Sequence, residues 1–239
     1  MNFSKIYILG DIHGNYSVIT KFLSDKNDCL LIQVGDFGIG FTDEETEYQK
    51  LKSLNRELSR NSNYIKVIRG NHDDPDFFTG DFNKISRFIN NVDLCNIELL
   101  KDYSVIEANG ENYLMVGGSI SIDRKSRILD KSYWLDEQFI LDKEKLESLT
   151  NIDRIICHTS PSFCDPLQFN DLVYSYSITD ANLLKELTKE RMDMTELYSI
   201  VSKNNTIKSF HNGHFHSNYY FNHNGTDFIC LDINTVVEI

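Results

Sequence analysis

The sequence predicts an α/β protein with mixed sheets. Three observations carry this: strand-like apolar runs alternate with helical periodicity early in the chain, later strand-like runs flank Asn-Gly turns, and short polar loops follow several of the strands directly. Lys5 to Leu9 reads as the first strand, and Tyr16 to Ser24 spaces Val18, Ile19, Phe22 and Leu23 as a helix. Cys29 to Val34, apolar except for Gln33, reads as a continuous buried strand, as expected of one covered on both faces. Thr42-Asp43-Glu44-Glu45 supplies an N-cap and an acidic first turn for a helix reaching about Arg60, with Tyr48, Leu51, Leu54 and Leu58 on one face. Tyr64 to Ile68 is the third strand. Next, Glu98 to Ala108 and Asn112 to Val116 flank Asn109-Gly110, a hairpin signal. A mixed stretch, Ser121 to Gln138, holds Trp134 and precedes a short helix over about Asp142 to Leu149. Asp153 to Cys157 is another strand, Thr179 to Lys203 reads as one or two helices, and Ile207 to Phe210 leads into a histidine-rich loop. Asn218 to Ile239 shows two strand runs around Asn224-Gly225. With no low-complexity linker in 239 residues, residues 1–239 are expected to form one domain.

Composition narrows the classes. Apolar and charged fractions of 41% and 25% are those of an ordinary globular protein, and no apolar run approaches the roughly 18 residues of a membrane span. The first residues lack a signal-peptide core, so a cytoplasmic protein without a membrane partner is expected. The five cysteines (Cys29, Cys95, Cys157, Cys164, Cys230) are scattered and form no CxxC pair, which points to reduced core thiols. A net charge of −12 disfavours long nucleic acids, which need clustered Lys and Arg. It leaves room for a phosphorylated substrate, because divalent cations reverse the local sign in a cleft.

Three early strands end in Gly10-Asp11-Ile12-His13-Gly14, in Gly35-Asp36-Phe37-Gly38 and in Arg69-Gly70-Asn71-His72-Asp73. Later strands deliver His158 and Gly213-His214-Phe215-His216. Ligands of open α/β sheets sit at the carboxyl ends of strands, so these loops are expected to converge on one crevice. A lone strand-end histidine is ordinarily structural. Five of the seven histidines in such loops, beside two aspartates and an asparagine, point instead to a site.

In chain order, Asp11-x-His13, Gly35-Asp36, Gly70-Asn71-His72-Asp73, His158 and Gly213-His214-x-His216 resemble the calcineurin-like metallophosphoesterase superfamily. The resemblance implies a four-layer α/β/β/α sandwich and a phosphoric ester hydrolase using two divalent ions, Mn²⁺ or Fe expected and Zn²⁺ or Ni²⁺ as alternatives. Such ions clamp a phosphoryl group and convert a bridging water to hydroxide. Asp11, His13, Asp36 and His216 would hold the first ion. Asp36, Asn71, His158 and His214 would hold the second, with Asp36 as the bridge. His72 would be the general acid that protonates the leaving oxygen, or a phosphate contact, with Asp73 orienting and charging its ring.

The second block, Gly35-Asp36-Phe37-Gly38, lacks the GDxVDRG extension of protein Ser/Thr phosphatases and with it their phosphate-gripping arginine. Arg124, Lys125 and Arg127 are the replacement candidates, as substrate contacts or as a solvated surface; Asn71 is a further substrate-side candidate. Gly117 to Glu137 resembles a "GGxxSID…W…E" pattern of uncharacterised bacterial and phage members, which supplies no substrate. Arg69 is left between an ion-pair partner and a phosphate contact, and His211 between a supporting and a surface role. The glycines beside the ligands are expected to turn the backbone sharply. Three functions follow: hydrolysis of phosphate mono- or diesters, with a small phosphorylated molecule or a phosphoprotein as partner; a nuclease or cyclic-nucleotide phosphodiesterase; or a non-catalytic metal-binding scaffold.

Overall fold

A computed structural model describes residues 1–79, 84–88 and 94–239. Strands β1 (Lys5–Leu9), β2 (Cys29–Gln33), β3 (Tyr64–Val67), β4 (Ile97–Leu99) and β11 (Val236–Glu238) form one sheet in the order β11-β1-β2-β3-β4. The other holds β5 (Ser104–Ala108), β6 (Glu111–Val116), β7 (Arg154–Cys157), β8 (Ser209–Asn212), β10 (Thr226–Cys230) and β9 (Tyr219–His223), in that spatial order. β1 to β4 run parallel, as do β6, β7, β8 and β10, while β11, β5 and β9 are antiparallel edges.

Alternation along the strands builds the layers. Tyr7, Leu9 and Leu31 pack against helices α1 (Ser17–Leu23) and α2 (Glu44–Arg60) through Ile19, Leu23, Leu51 and Leu54. Ile6, Ile8, Leu30 and Ile32 point the other way, into a core between the sheets that includes Tyr113, Met115 and Ile156. On the far side, Leu114, Val116, Ile155 and Cys157 meet α3 (Lys143–Glu147) and α5 (Leu183–Asn204) through Leu146, Met194 and Leu197. Burial on both faces explains why the central strands read as continuous apolar runs. The result is an α/β/β/α sandwich.

Boundaries follow local chemistry. Asp43 caps α2 by accepting from the Thr46 N–H at 3.0 Å, and Asp142 caps α3 by accepting from Lys145. Three features differ from expectation. The run Glu98 to Ala108 is two strands in different sheets, because the chain turns at Lys101-Asp102-Tyr103, where Tyr103 takes a φ of 65°. Asn170 caps a helix absent from the sequence reading, α4 (Asp171–Ser177), through a 3.0 Å bond from Val173. β11 also lay unread, and it covers the edge of β1. Among the cysteines Cys95 is exposed, since it lies in the turn before β4, while the other four are buried. No helix among the described residues is long and apolar enough to cross a membrane.

Candidate metal centre

β1, β2, β3, β7 and β8 deliver their loops to the same edge of the two sheets. The first group is Asp11, His13, Asp36 and His216, whose ligand atoms all lie within 4.8 Å of one another. Asp11 and Asp36 are buried; His13 and His216 stand at the exposed rim. His216 Nε2 is 3.3 Å from Asp11 Oδ2, and His13 Nε2 is 3.1 Å from His216 Nε2. Both Asp11 oxygens also accept the His214 backbone N–H, at 3.2 and 3.0 Å, which ties the two ends of the chain together.

The second group lies deeper. Asn71 Oδ1 is 3.1 Å from His158 Nε2 and 2.9 Å from His214 Nδ1, and His158 Nε2 is 3.2 Å from Asp36 Oδ1. His158 Nδ1 donates to the Val34 carbonyl at 2.8 Å, so in the neutral ring Nε2 presents a lone pair to two oxygens. Lone pairs converging at this spacing repel unless a proton or cation lies among them. Burial lowers the His158 pKa, but the Asp36 charge outweighs it and holds the ring up at about 9. Asp36 itself is held well below the usual carboxylate range, because His158 outweighs the opposing effect of burial. The donors present, carboxylates, imidazoles and an amide oxygen, suit first-row divalent ions, so the residues fit two metals sharing Asp36.

The backbone is shaped for this crowding. His13, Asp36, His214 and His216 take φ of 46°, 55°, 70° and 49°, a region non-glycine residues enter rarely and hold when their surroundings dictate it. Gly14 and Gly35 take the left-handed φ that the expected turns call for, 79° and 101°, whereas Gly70 and Gly213 have a different task. A Cβ on Gly70 would lie 2.1 Å from Asp36 Oδ1, and one on Gly213 would lie 2.0 Å from Asp11 Oδ1. Neither takes a left-handed φ; they make room for the carboxylates.

Asp73 departs from the role expected of it. Its oxygens accept from the backbone N–H groups of Phe37, Gly38, Ile39 and Gly70, at 3.1, 2.7, 3.2 and 2.7 Å, so the carboxylate braces the loop after β2 against the loop after β3. Burial, then the charge of Asp36, pushes its pKa up to about 6. His72 instead meets Arg127, whose Nη2 donates to His72 Nε2 at 2.6 Å. Asp123 steadies that guanidinium from Nε at 2.6 Å. Arg124 is tied to Asp180 at 2.5 Å and to Glu186 at 2.6 Å, which anchors the loop to the corner before α5.

Arg69 resolves as a clamp. It pairs with Asp102 at 2.7 Å and donates to the carbonyls of Asp136, Glu137 and Gln138, at 3.0, 2.7 and 3.0 Å. His211 is fully buried within β8, where the sequence favoured a surface position, because the strand extends to Asn212. Neither of its ring nitrogens has a partner among the described residues, and burial lowers its pKa to about 3. Four buried residues around the second group had been given no site role: Ser119, Ser121 and Glu137, which lie in the Gly117 to Glu137 pattern, and Glu190. The Ser119-x-Ser121 spacing beside the glycine pair was the available signal.

Asp36, Asn71, His72 and Arg127 open onto a cleft of about 490 Å³. Its far wall is apolar, made by Ile122, Phe169, Leu172, Val173, Tyr176 and Leu187.

Comparisons with known proteins agree with this architecture. The sequence matches the profile of the calcineurin-like phosphoesterases over residues 4–237. Among solved structures, TT1561 of Thermus thermophilus is similar at 13% identity and a TM-score of 0.50, over 97% of this chain and 91% of that one. The phosphopantetheinyl hydrolase PptH of Mycobacterium tuberculosis is similar at 13% identity and a TM-score of 0.48, over 96% of this chain and 90% of that one. The likeness to TT1561 is one of fold. No curated protein matches the chain. A profile match spanning nearly all of the sequence, over a sandwich whose strand ends carry the motifs, places the chain in the calcineurin-like phosphoesterase family.

Proposed function

We propose that the chain hydrolyses small phosphate mono- or diesters with two divalent ions, Mn²⁺ or Fe, held by Asp11, His13, Asp36 and His216 and by Asp36, Asn71, His158 and His214. The observation that carries this reading is the convergence of lone pairs from Asp36, Asn71 and His158 at one point beside the first cluster. When bound, the ions supply Lewis-acid polarisation of the phosphoryl group and an activated water nucleophile.

The protein's own residues do the rest. Among the described residues two arginines line the cleft; Arg191 is committed to the carbonyls of Pro161, Cys164 and Pro166, and Arg127 is the phosphate contact in this reading. A guanidinium suits two phosphate oxygens at once. While Arg127 donates to His72 Nε2, that atom accepts a hydrogen bond and cannot give a proton. Transfer of Arg127 onto the phosphate oxygens frees Nε2 to take up a proton from solvent, which His72 then passes as general acid to the leaving oxygen. Arg124, already neutralised by two carboxylates, holds the loop in place. The apolar wall receives the organic part of the ester, which with the net charge of −12 favours a small molecule over long nucleic acid. A cytoplasmic location is part of the same proposal.

The test compares nitrophenyl phosphate with bis-nitrophenyl phosphate using protein loaded with Mn²⁺. Turnover of at least one, abolished by a chelator and restored by Mn²⁺, is expected, and the ratio separates monoesterase from diesterase. Absence of turnover with Mn²⁺, Fe²⁺, Zn²⁺ and Ni²⁺ on both, and on a cyclic nucleotide, would leave the scaffold reading standing.

A further inference from the structure

The segment Gly117-Gly118-Ser119-Ile120-Ser121 follows β6 to the same edge as the ligand loops, yet none of its side chains belongs to either ligand group. Ser121 Oγ receives a hydrogen from Asn71 Nδ2 at 3.0 Å and gives its own to Glu137 Oε2 at 2.8 Å. The other oxygen, Glu137 Oε1, accepts from the Ser121 backbone N–H at 2.6 Å. Two residues earlier, Ser119 Oγ gives its hydrogen to Glu190 Oε1 at 3.0 Å and lies 3.0 Å from His214 Nε2. With the serine hydrogen committed to Glu190, Nε2 carries the ring proton of His214 and donates it to Ser119. That leaves Nδ1 of His214 with its lone pair directed beside Asn71 Oδ1, 2.9 Å away.

We propose that Ser121–Glu137 and Ser119–Glu190 are paired relays that orient Asn71 and His214 and strengthen them as donors to the second metal position. The inference rests on the two-ion reading above. Each relay runs from a ligand through a hydroxyl to a buried carboxylate. Ser119, Ser121, Glu137 and Glu190 are 0%, 1%, 2% and 4% exposed, so water does not compete for these bonds. Pulling hydrogen toward Glu137 polarises the Asn71 amide and enriches Oδ1. Pulling it toward Glu190 does the same for Nδ1 of His214. Glu190 is buried at the cleft, and the hydroxyl of Ser119 donates to its carboxylate at 3.0 Å. The first group has a different arrangement, its carboxylate Asp11 being held by a backbone N–H. Placement is secured as well: the Arg69 clamp holds the Glu137 carbonyl, and the Ser119 N–H donates to that carbonyl at 3.1 Å. This accounts for Ser119, Ser121 and Glu137 of the Gly117 to Glu137 stretch as positioning residues.

Calorimetric titration of the metal-free full chain with Mn²⁺, without substrate, tests the relays separately from catalysis. The wild type is expected to take up two ions. Ser121→Ala and Ser119→Ala should each weaken one of the two binding steps by about 10–100-fold and leave the other within about twofold. Glu137→Gln and Glu190→Gln keep volume and hydrogen-bonding atoms, so they should fold where the alanine variants fail, and should show a smaller loss at the same step. An unchanged second step in all four variants overturns the proposal, as does an equal loss at both steps. Uptake of a single ion by the wild type also overturns it. Two-ion uptake with the selective loss, in a protein inactive on every ester, would uphold the relays while defeating the phosphoesterase reading.

Discussion

The two ligand groups share Asp36 and differ in everything around it. The first borders solvent: the side chains of His13 and His216 are 28% and 46% exposed, and their ring nitrogens face each other across the rim. The second lies deeper: His158 is fully buried and Asn71 is 3% exposed, and Asn71, His158 and His214 each lean on another buried group, while Asn71 and His214 also line the cleft. Rigid, fully partnered ligands give up little conformational freedom on binding, whereas rim histidines must be ordered first. The comparison teaches that Asp36 joins a buried, firmly partnered set of side chains to one that borders solvent.

The largest effect is expected where the two regions meet. Asp36→Ala removes a ligand from both groups and should lower turnover by about 10³-fold or more, with loss of both ions in metal analysis. Retention of two ions would break the shared-bridge account. His72→Ala comes next: turnover should fall by about 10²–10⁴ with two ions still bound. Arg127→Ala should act mainly through KM, by roughly 10–100-fold, the scale of a charge-assisted hydrogen bond. An unchanged KM would remove Arg127 from phosphate binding.

A smaller expectation concerns the scaffold beneath the second group. Burial holds His211 at about 3 in the fold, against an unfolded value near 6.5. Its folded pKa is depressed, so the native state is favoured above pH 6.5 and loses stability as the pH falls from about 6.5 toward 3. His211→Leu should therefore raise the unfolding free energy from urea titration at pH 5 more than at pH 8, by an amount on the order of 1 kcal/mol. Equal unfolding free energies for the two proteins at pH 5 would show that His211 carries no such penalty.

Much of the site could be read from sequence because its ligands sit where strand-like runs stop, and parallel strands place those stops on one edge. Asp11, Asp36, Asn71 and His158 are all of this kind. What could not be read depends on side-chain direction. Nothing local distinguishes Arg127, which faces His72, from Arg124, three residues away and spent on Asp180 and Glu186. Asp73 looked like a partner for the histidine beside it. Its oxygens are taken by backbone N–H groups from the loop after β2 and from Gly70. Glu190 sits at a buried position of α5, where sequence pattern gives an acid no reason to be. In the fold, α4 and the split between β4 and β5 were missed because helices of two turns and sheet changes leave little periodicity.

The central claim is two metal positions joined by Asp36. Diffraction from crystals soaked in Mn²⁺, recorded at the manganese absorption edge, tests it most directly. Two anomalous peaks about 3.5–4 Å apart are expected, one among Asp11, His13, Asp36 and His216 and one among Asp36, Asn71, His158 and His214. A single peak, or peaks away from Asp36, would contradict the account.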